Sequence, residues 1–111
     1  MNHQKLKCYC VLLGVARKLP ALLKILPKGN YYLEDQLKRA LSSAILNLAE
    51  GNGRRSIKER NRFFDISLAS IAETASAIDI ICAYGYITAM FNEEIKSELR
   101  MSYAMLMKMR R

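Results

Sequence analysis

The chain has 111 residues, of which 51% are hydrophobic and 25% are charged. This composition indicates one globular domain over residues 1–111 with a modest core, and it excludes a disordered chain. Lysine and arginine outnumber the acidic residues by 18 to 10, so the net charge is +8. Such an excess favours polyanionic partners, nucleic acid first and an anionic membrane surface second, although a merely soluble basic surface has the same composition.

The cysteines indicate a reducing compartment. Cys8, Cys10 and Cys82 are an odd number without the spacing of a disulfide framework, which favours a cytoplasmic location. Cys8 and Cys10 could ligate a metal together with His3, but no second paired motif completes a tetrahedral site. Small buried side chains are the preferred interpretation, and the sequence predicts neither a metal nor a cofactor.

Membrane insertion and secretion are not expected. No stretch approaches the roughly 18 consecutive apolar residues that span a bilayer. The apolar run near the start is followed directly by Arg17 and Lys18, without a small-x-small cleavage site.

The first predicted helix covers about residues 4–26. Its apolar stripe has helical spacing and consists of Leu12, Val15, Ala16, Leu19, Leu22, Leu23 and Leu26. Pro20 removes a backbone donor inside this helix and predicts a kink. Residues 1–30 contain basic residues and no acidic ones, so a helix lying on a membrane surface is an alternative. A stripe facing the core is preferred, because a domain of this size has few other helices to bury against.

The second and third helices are predicted at about residues 31–50 and 57–84, joined by the turn Gly51-Asn52-Gly53. Ser56 and Glu59 have the spacing of a capping box at the start of the third helix. The seam of this helix alternates steps of four and three through Phe64, Leu68, Ile71, Ala75, Ile78 and Cys82, with Ile57 before it. A second stripe of small residues suits close packing with another helix or another subunit, and it comprises Ser67, Ser70, Thr74 and Ala77.

The fourth helix is predicted at about residues 93–110. Gly85 ends the third helix in a left-handed conformation, and Asn92 is the predicted N-cap of the fourth. Ile95, Leu99, Ser102, Leu106 and Met109 form its seam, which Met101 and Met105 broaden. The fold class expected is therefore all-α: an antiparallel, up-down-up-down four-helix bundle.

Catalytic chemistry has little support in the sequence. The only histidine is His3 near the terminus, and Gly51-x-Gly53 lacks the preceding strand and third glycine of a dinucleotide fingerprint. The carboxylates Glu50, Glu73 and Asp79 could converge as in di-iron bundles, but those sites need Glu-x-x-His motifs that are missing here. We therefore expect a protein that is not an enzyme.

A basic run at the start of the third helix is the best candidate site. This run, residues 54–62, contains one acidic residue, Glu59, and five basic ones: Arg54, Arg55, Lys58, Arg60 and Arg62. Helix-start donors and arginine forks both favour phosphate. Lys38 and Arg39 are expected nearby. The alternative is that Arg60 and Arg62 pair with Glu59 or Asp65, or simply lie in water.

The run Leu48-Ala49-Glu50-Gly51-Asn52-Gly53-Arg54-Arg55-Ser56 closely resembles the four-helix-bundle family encoded in ribosomal-RNA intervening sequences. Glu59, Arg62-Phe63-Phe64-Asp65-Ile66, Glu73, Leu37-Lys38-Arg39-Ala40 and Tyr84-Gly85-Tyr86-Ile87 also resemble that family. The resemblance covers about residues 31–90 and implies a homopentameric ring. A more distant resemblance is to the accessory variability determinant of diversity-generating retroelements, a basic pentamer that binds nucleic acid and partners a reverse transcriptase. Pro20 departs from the family, whose first helix is usually uninterrupted.

The leading hypothesis is a cytoplasmic homo-oligomeric bundle that binds RNA or DNA through basic surfaces, as an accessory subunit of a nucleic-acid enzyme such as a reverse transcriptase. The alternative is a purely structural oligomer, whose small-residue and methionine stripes serve subunit contact. Peripheral membrane binding through the first helix is a third, weaker hypothesis.

Overall fold

The computed structural model describes residues 3–110, which form four α-helices and no strand. They are α1 (His3–Ile25), α2 (Tyr31–Asn52), α3 (Ile57–Ala83) and α4 (Ala89–Met109). The helices share one hydrophobic core, to which each contributes most of the apolar stripe expected from its sequence. Ile57 and Met101, also expected in these stripes, are exposed. The all-α prediction is confirmed for the described residues.

Two predicted helix ends are wrong. α2 continues through Gly51 to Asn52, so the connection to α3 begins at Gly53, whose N–H donates to Glu50 O at 3.1 Å. α4 begins at Ala89, because the Thr88 side chain accepts from the Phe91 N–H and caps the helix. Asn92, the predicted cap, lies inside α4, where its side-chain amide donates to Asp79 at 3.3 Å.

The other termini agree with the predictions from sequence. Ser56 is the N-cap of α3, and its Oγ accepts from the Glu59 N–H at 3.0 Å. Gly85 follows α3 with a φ of 81°, the left-handed conformation that favours glycine. α1 is a single helix on both sides of Pro20, so the proline does not divide it; a kink there stays a prediction.

The small-residue stripe of α3 lies inside the chain. Ser67 is fully buried, and its hydroxyl donates to Ala44 O on α2 at 2.6 Å. The hydroxyls of Ser70 and Ser43 are 2.8 Å apart, again between α3 and α2. Small side chains let these helices approach closely, and their hydroxyls find partners across the contact. The stripe therefore serves packing against another helix of the same chain, so it is not available for contact with another subunit.

Contacts between helices show which termini lie together. Cys8 near the start of α1 donates to Ser102 O near the end of α4 at 3.5 Å. Asp65, early in α3, accepts from Arg110 just beyond α4 at 2.5 Å. Because α2 leads directly into α3, the start of α1, the end of α2, the start of α3 and the end of α4 all lie at one end. The molecule measures 44 × 23 × 19 Å, so this end is only about 20 Å across.

One described helix, α3, is long and apolar enough by length and composition to cross a membrane, with a window of mean hydropathy 1.5. The expectation that no segment would approach this property is wrong by this measure. The reason is that α3 combines a buried seam with alanines and isoleucines on its exposed side. Core helices of soluble proteins pass the same test, and 44% of the window is buried within the chain. The property alone therefore does not identify a membrane span.

The two cysteines of the Cys8-x-Cys10 pair have different surroundings, since Cys8 is buried and Cys10 is exposed. Burial raises the pKa of the Cys8 thiol to about 11, and the thiolate is the reactive form. Within residues 3–110, no group of three or more His, Cys, Asp or Glu residues is arranged to hold a metal ion.

We predict that N-ethylmaleimide at pH 7.5 modifies Cys10 at least about a hundredfold faster than Cys8, because Cys8 is both inaccessible and almost fully protonated. Peptide mass spectrometry over a time course measures both rates. In urea the two rates should converge. Equal rates in the folded protein would contradict the packing of Cys8.

Candidate nucleic-acid interface

The connection from α2 to α3 depends on a close approach at Gly51. This glycine is buried, and a Cβ at its position would lie 2.7 Å from two ring carbons of Phe64. Phe64 is fully buried, so its ring has no room to withdraw. A residue without a side chain at position 51 therefore allows α2 to end against the first turns of α3, which fixes where the basic run begins.

Arg54 is held inside this connection by three neighbours. It forms a salt bridge with Glu50 one turn earlier on α2, and its guanidinium lies 3.7 Å from the Glu59 carboxylate on α3. The same guanidinium is stacked 4.9 Å from the centroid of the Phe63 ring. Arg54 thus links the end of α2 to the start of α3. Its charge is partly neutralised before any ligand arrives.

Arg60 also serves the connection more than the surface. Its Nη2 donates to Arg54 O at 3.2 Å, and the side chain is half-buried. The predicted alternative, pairing of Arg60 or Arg62 with Glu59 or Asp65, is not what the structure shows. Glu59 is engaged by Arg54, and Asp65 by Arg110. Those hydrogen bonds from Arg110 lower the pKa of Asp65, so this carboxylate is ionised at neutral pH.

Arg55, Lys58 and Arg62 form the outward part of the basic run, and all three are exposed. Lys58 and Arg62 are four residues apart and lie on one side of the first turns of α3, and Arg55 lies in the connection just before the N-cap Ser56. Arg62 is stacked on Phe63 at 4.5 Å from the ring centroid, which fixes the guanidinium plane while leaving its edge open to solvent. Neither Arg55 nor Lys58 forms a salt bridge with any residue in the described range. These side chains are therefore the ones best placed to meet phosphate.

Lys38 and Arg39 lie elsewhere. They are in the first half of α2 and form salt bridges one turn apart with Glu34 and Asp35, at 3.1 and 3.2 Å. Arg39 precedes the end of α2 by 13 residues, which is roughly 20 Å of helix. The expectation that they lie near the basic run is wrong. Each residue of a helix advances the chain by about 1.5 Å along the bundle, so residues close in sequence can lie far apart.

Cations from both ends of the chain join the basic run. Lys7 on α1 and Lys108 on α4 line a groove of about 300 Å³ together with His3, Gln4 and Met105. Arg110 reaches Asp65 on α3 at the same end of the bundle. In the sequence, the basic residues at the end of the fourth helix are far from the basic run. The fold brings the end of α4 beside the start of α1 and the start of α3, so these cations join the same surface. Arg111, the last of these basic residues in the sequence, lies outside the described residues.

The result is a strongly asymmetric charge distribution. We call this pole of the bundle the basic end, defined by its nine described cations: Lys5, Lys7, Arg54, Arg55, Lys58, Arg60, Arg62, Lys108 and Arg110. Three acidic residues lie among them, Glu50, Glu59 and Asp65. The rest of the described chain holds eight basic and seven acidic residues and is nearly neutral. Most of the net charge of +8 is thus concentrated at one pole.

The comparison with known families agrees with the motif around this connection. The family model of the 23S rRNA-intervening sequence protein matches residues 4–108. The chain belongs to this family. The match extends the sequence resemblance from about residues 31–90 to nearly the whole chain, including α1 with Pro20. Among curated proteins, no sequence matches this one significantly.

For this member of the 23S rRNA-intervening sequence protein family, the geometry divides the predicted site residues into three groups. Arg55, Lys58 and Arg62 are outward at the basic end, whereas Arg54 and Arg60 build the connection behind them. Lys38 and Arg39 lie apart from both groups. The residues missing from the predicted site are Lys5, Lys7, Lys108 and Arg110. The signal that could have found them is the expected up-down order of the helices, which already places both termini beside the second connection.

We predict that Gly51→Ala lowers the free energy of unfolding by about 1–2 kcal/mol. The added methyl overpacks against Phe64, and the helix propensity gained by removing glycine offsets only part of this cost. Urea denaturation at fixed protein concentration measures the change.

Two glycines provide controls for that substitution. A Cβ at Gly53 would lie 3.6 Å from its nearest neighbour, and the φ of Gly53 is −89°, which any residue can adopt. Gly53→Ala should therefore leave the free energy of unfolding nearly unchanged. Gly14 lies within α1 with 3.8 Å of clearance, so Gly14→Ala should raise stability by about 0.5–1 kcal/mol. If Gly51→Ala proved as stable as the wild type, the close approach would not constrain the connection.

Proposed function

We propose that this protein is a non-enzymatic, homo-oligomeric four-helix bundle that binds RNA or DNA through its basic end. The observation that carries the proposal is the concentration of nine cations at one pole about 20 Å across, beside an otherwise nearly neutral body. A surface of this kind attracts the phosphate backbone and releases its counterions. The family's name refers to an intervening sequence of 23S rRNA, which agrees with RNA as a partner.

The proposed bundle is antiparallel, with its helices running up, down, up and down. Contacts between consecutive helices support this order. Ser43 meets Ser70 while Ala44 meets Ser67, so residue numbers rise on α2 as they fall on α3. α3 and α4 follow the same rule, since Asp65 meets Arg110 and Asp79 meets Lys96.

The chemistry of the basic end favours backbone contact over base reading. Arg55, just before α3, and Lys58 and Arg62, on its first turns, are exposed cations suited to phosphate oxygens. Arginine adds a planar fork that can donate two hydrogen bonds to one phosphate. A surface built this way holds nucleic acid with little dependence on sequence, the property expected of an accessory subunit that works beside a nucleic-acid enzyme. A reverse transcriptase is such an enzyme, and a cytoplasmic location is consistent with the thiol chemistry of the three free cysteines.

The second candidate is a structural oligomer without nucleic-acid binding. The methionine stripe supports this candidate in part, because Met101 on α4 is 49% exposed. The small-residue stripe does not support it, since Ser67 and Thr74 are fully buried within the chain. The charge distribution is unexplained under this candidate, whereas phosphate binding accounts for it directly.

Fluorescence anisotropy with labelled single-stranded RNA, duplex RNA and duplex DNA across a salt series tests the proposal. We predict that Arg55→Ala/Lys58→Ala/Arg62→Ala reduces the slope of log affinity against log salt by roughly 2–3, because each lost phosphate contact removes about 0.7–0.9. The weakening should be similar for all sequences, since the contacts are to the backbone.

A matched control removes the same number of charges away from the basic end. Arg17→Ala/Lys24→Ala/Lys28→Ala acts on α1 and the connection that follows it, and should change the slope by less than about 1. Equal effects of the two triple variants would assign binding to net charge and not to the basic end. Absence of binding by the wild type at low salt would favour the structural oligomer.

A further inference from the structure

The outer face of α3 carries an exposed, largely apolar seam. It begins one turn beyond Arg62 and runs along the helix at steps of three and four residues: Ile66, Ala69, Glu73, Ser76, Ile80 and Ala83. All six are exposed, including Ile66 at 38% and Ile80 at 41%. We call these six residues the outer seam. They lie on the opposite side of α3 from its buried core residues.

The spacing of the outer seam identifies the kind of surface that would cover it. Alternating steps of three and four keep a stripe facing one neighbouring helix at a shallow crossing angle. Three of the six side chains are small, those of Ala69, Ser76 and Ala83, and they would let that helix approach closely. Glu73 at the centre forms no salt bridge with any residue in the range 3–110, so the partner is expected to bring a cation to this point.

A surface with those properties exists on the same molecule. A groove of about 140 Å³ runs between α3 and α4, and Ala72, Ala75, Leu99 and Tyr103 form its apolar walls. Lys96 and Arg100 line the same groove, and Lys96 is already paired with Asp79 on α3 at 2.8 Å. The present partner of Arg100 is Glu93 on the same helix, and both side chains are more than half exposed. An exposed pair of this kind contributes little, so Arg100 is available to another carboxylate.

The two surfaces lie at the same height along the bundle. Glu73 of the outer seam is one residue from Ala72 and two from Ala75, and these alanines line the groove together with Arg100. One or two residues correspond to only about 1.5–3 Å of helix rise. Two copies placed side by side in the same orientation therefore bring Glu73 of one to the level of Arg100 of the other.

We propose that a second copy of this chain covers this face, with the outer seam of one copy packed into the α3–α4 groove of the next and Glu73 beside the neighbour's Arg100. The inference rests on the oligomer of the proposed function and assigns its interface. Because the two surfaces differ, the contact is heterologous, and repetition gives a ring if the rotation closes.

This arrangement keeps all basic ends on the same side of the assembly. One nucleic acid can then engage several of them, which raises avidity without any new contact. The basic ends of neighbouring copies then lie side by side and repel each other, and a bound polyanion offsets this repulsion.

A membrane is a poorer occupant of the same face. Glu73 lies at the centre of the seam, and a carboxylate in the hydrocarbon region is costly.

Sedimentation velocity of the full chain tests the interface. We expect the wild type to sediment well above the 12.7 kDa of one chain, and Ser76→Arg to need an at least tenfold higher concentration for half-association, because it places a bulky charge in the seam. Ala21→Arg, at an exposed position of α1, adds the same charge elsewhere and should sediment like the wild type. Circular dichroism and thermal melts verify that each variant is folded.

Charge exchange makes the test specific for the proposed pairing. Glu73→Arg and Arg100→Glu should each weaken association, and the double variant Glu73→Arg/Arg100→Glu should recover most of it. An associated wild type in which Ser76→Arg and both single reversals change nothing would overturn this interface while leaving an oligomer in place. Flotation of the wild type with anionic vesicles, abolished by Ser76→Arg, would assign the face to a membrane and overturn the proposal.

Nucleic-acid binding is measured separately, with an RNA of about six nucleotides that is too short to bridge two basic ends. Folded Ser76→Arg should bind this RNA as the wild type does, and lose at least about tenfold in affinity only for a long RNA. Equal losses for both lengths would contradict the separation of the two surfaces. A wild type of one-chain mass that still binds RNA would overturn the interface and the oligomer but leave the basic end as the binding site.

Discussion

The close packing of α2 against α3 is the constraint on which most other features depend. Gly51 admits the Phe64 ring at the point where the two helices meet, and the Ser43, Ser67 and Ser70 hydroxyls find partners along the contact. A larger residue at any of these places would separate the helices and move the start of α3. The short connection, and with it the direction in which Arg55 and Lys58 project, therefore follows from side-chain volume inside the bundle. The family match over residues 4–108 includes this junction.

Charge separation in this protein follows from topology. The cations near the chain termini and those of the second connection are far apart in sequence, and the course of the helices brings them to one pole. Gathering like charges costs stability through mutual repulsion, and part of this cost is offset locally. Glu50 and Glu59 engage Arg54, while Asp65 engages Arg110. Arg55, Lys58 and Arg62 remain outward without a salt bridge to any described residue, and a polyanion would supply the missing charge.

The two sides of α3 have different surroundings. Its inner side holds the core through Phe64, Ile71 and Ile78, all nearly or fully buried. Its outer side carries cations in the first two turns and a largely apolar seam beyond them. Apolar character on both sides explains why α3 alone among the described helices reaches the hydropathy of a membrane span. A helix that packs on one side within its chain and on the other against a second copy has the same composition.

Periodicity determined the helices and their core. The seams through Phe64, Leu68 and Ile71, and through Ile95 and Leu99, are buried as expected. An apolar stripe at helical spacing lies on one face of its helix, and that face is most stable when it is turned to the core. The Ser56 and Gly85 termini were also readable, since each depends on a few adjacent residues. The start of α4 was not, because Thr88 and Asn92 both have side chains that suit a cap; in the structure Thr88 caps the helix and Asn92 donates to Asp79.

The sequence by itself determined the all-α class, the family and the basic run that follows Gly53, all of which depend on local pattern. Tertiary structure decided which cations face outward. Arg54 and Arg60 turn inward to the connection, and Lys38 and Arg39 lie about 20 Å along α2. It also added Lys7 and Lys108, and it separated the buried stripe of Ser67 and Thr74 from the exposed seam of Ile66 and Ile80. These outcomes depend on distances between helices, which are set by the volumes and partners of residues far apart in the chain and not by spacing within any one segment.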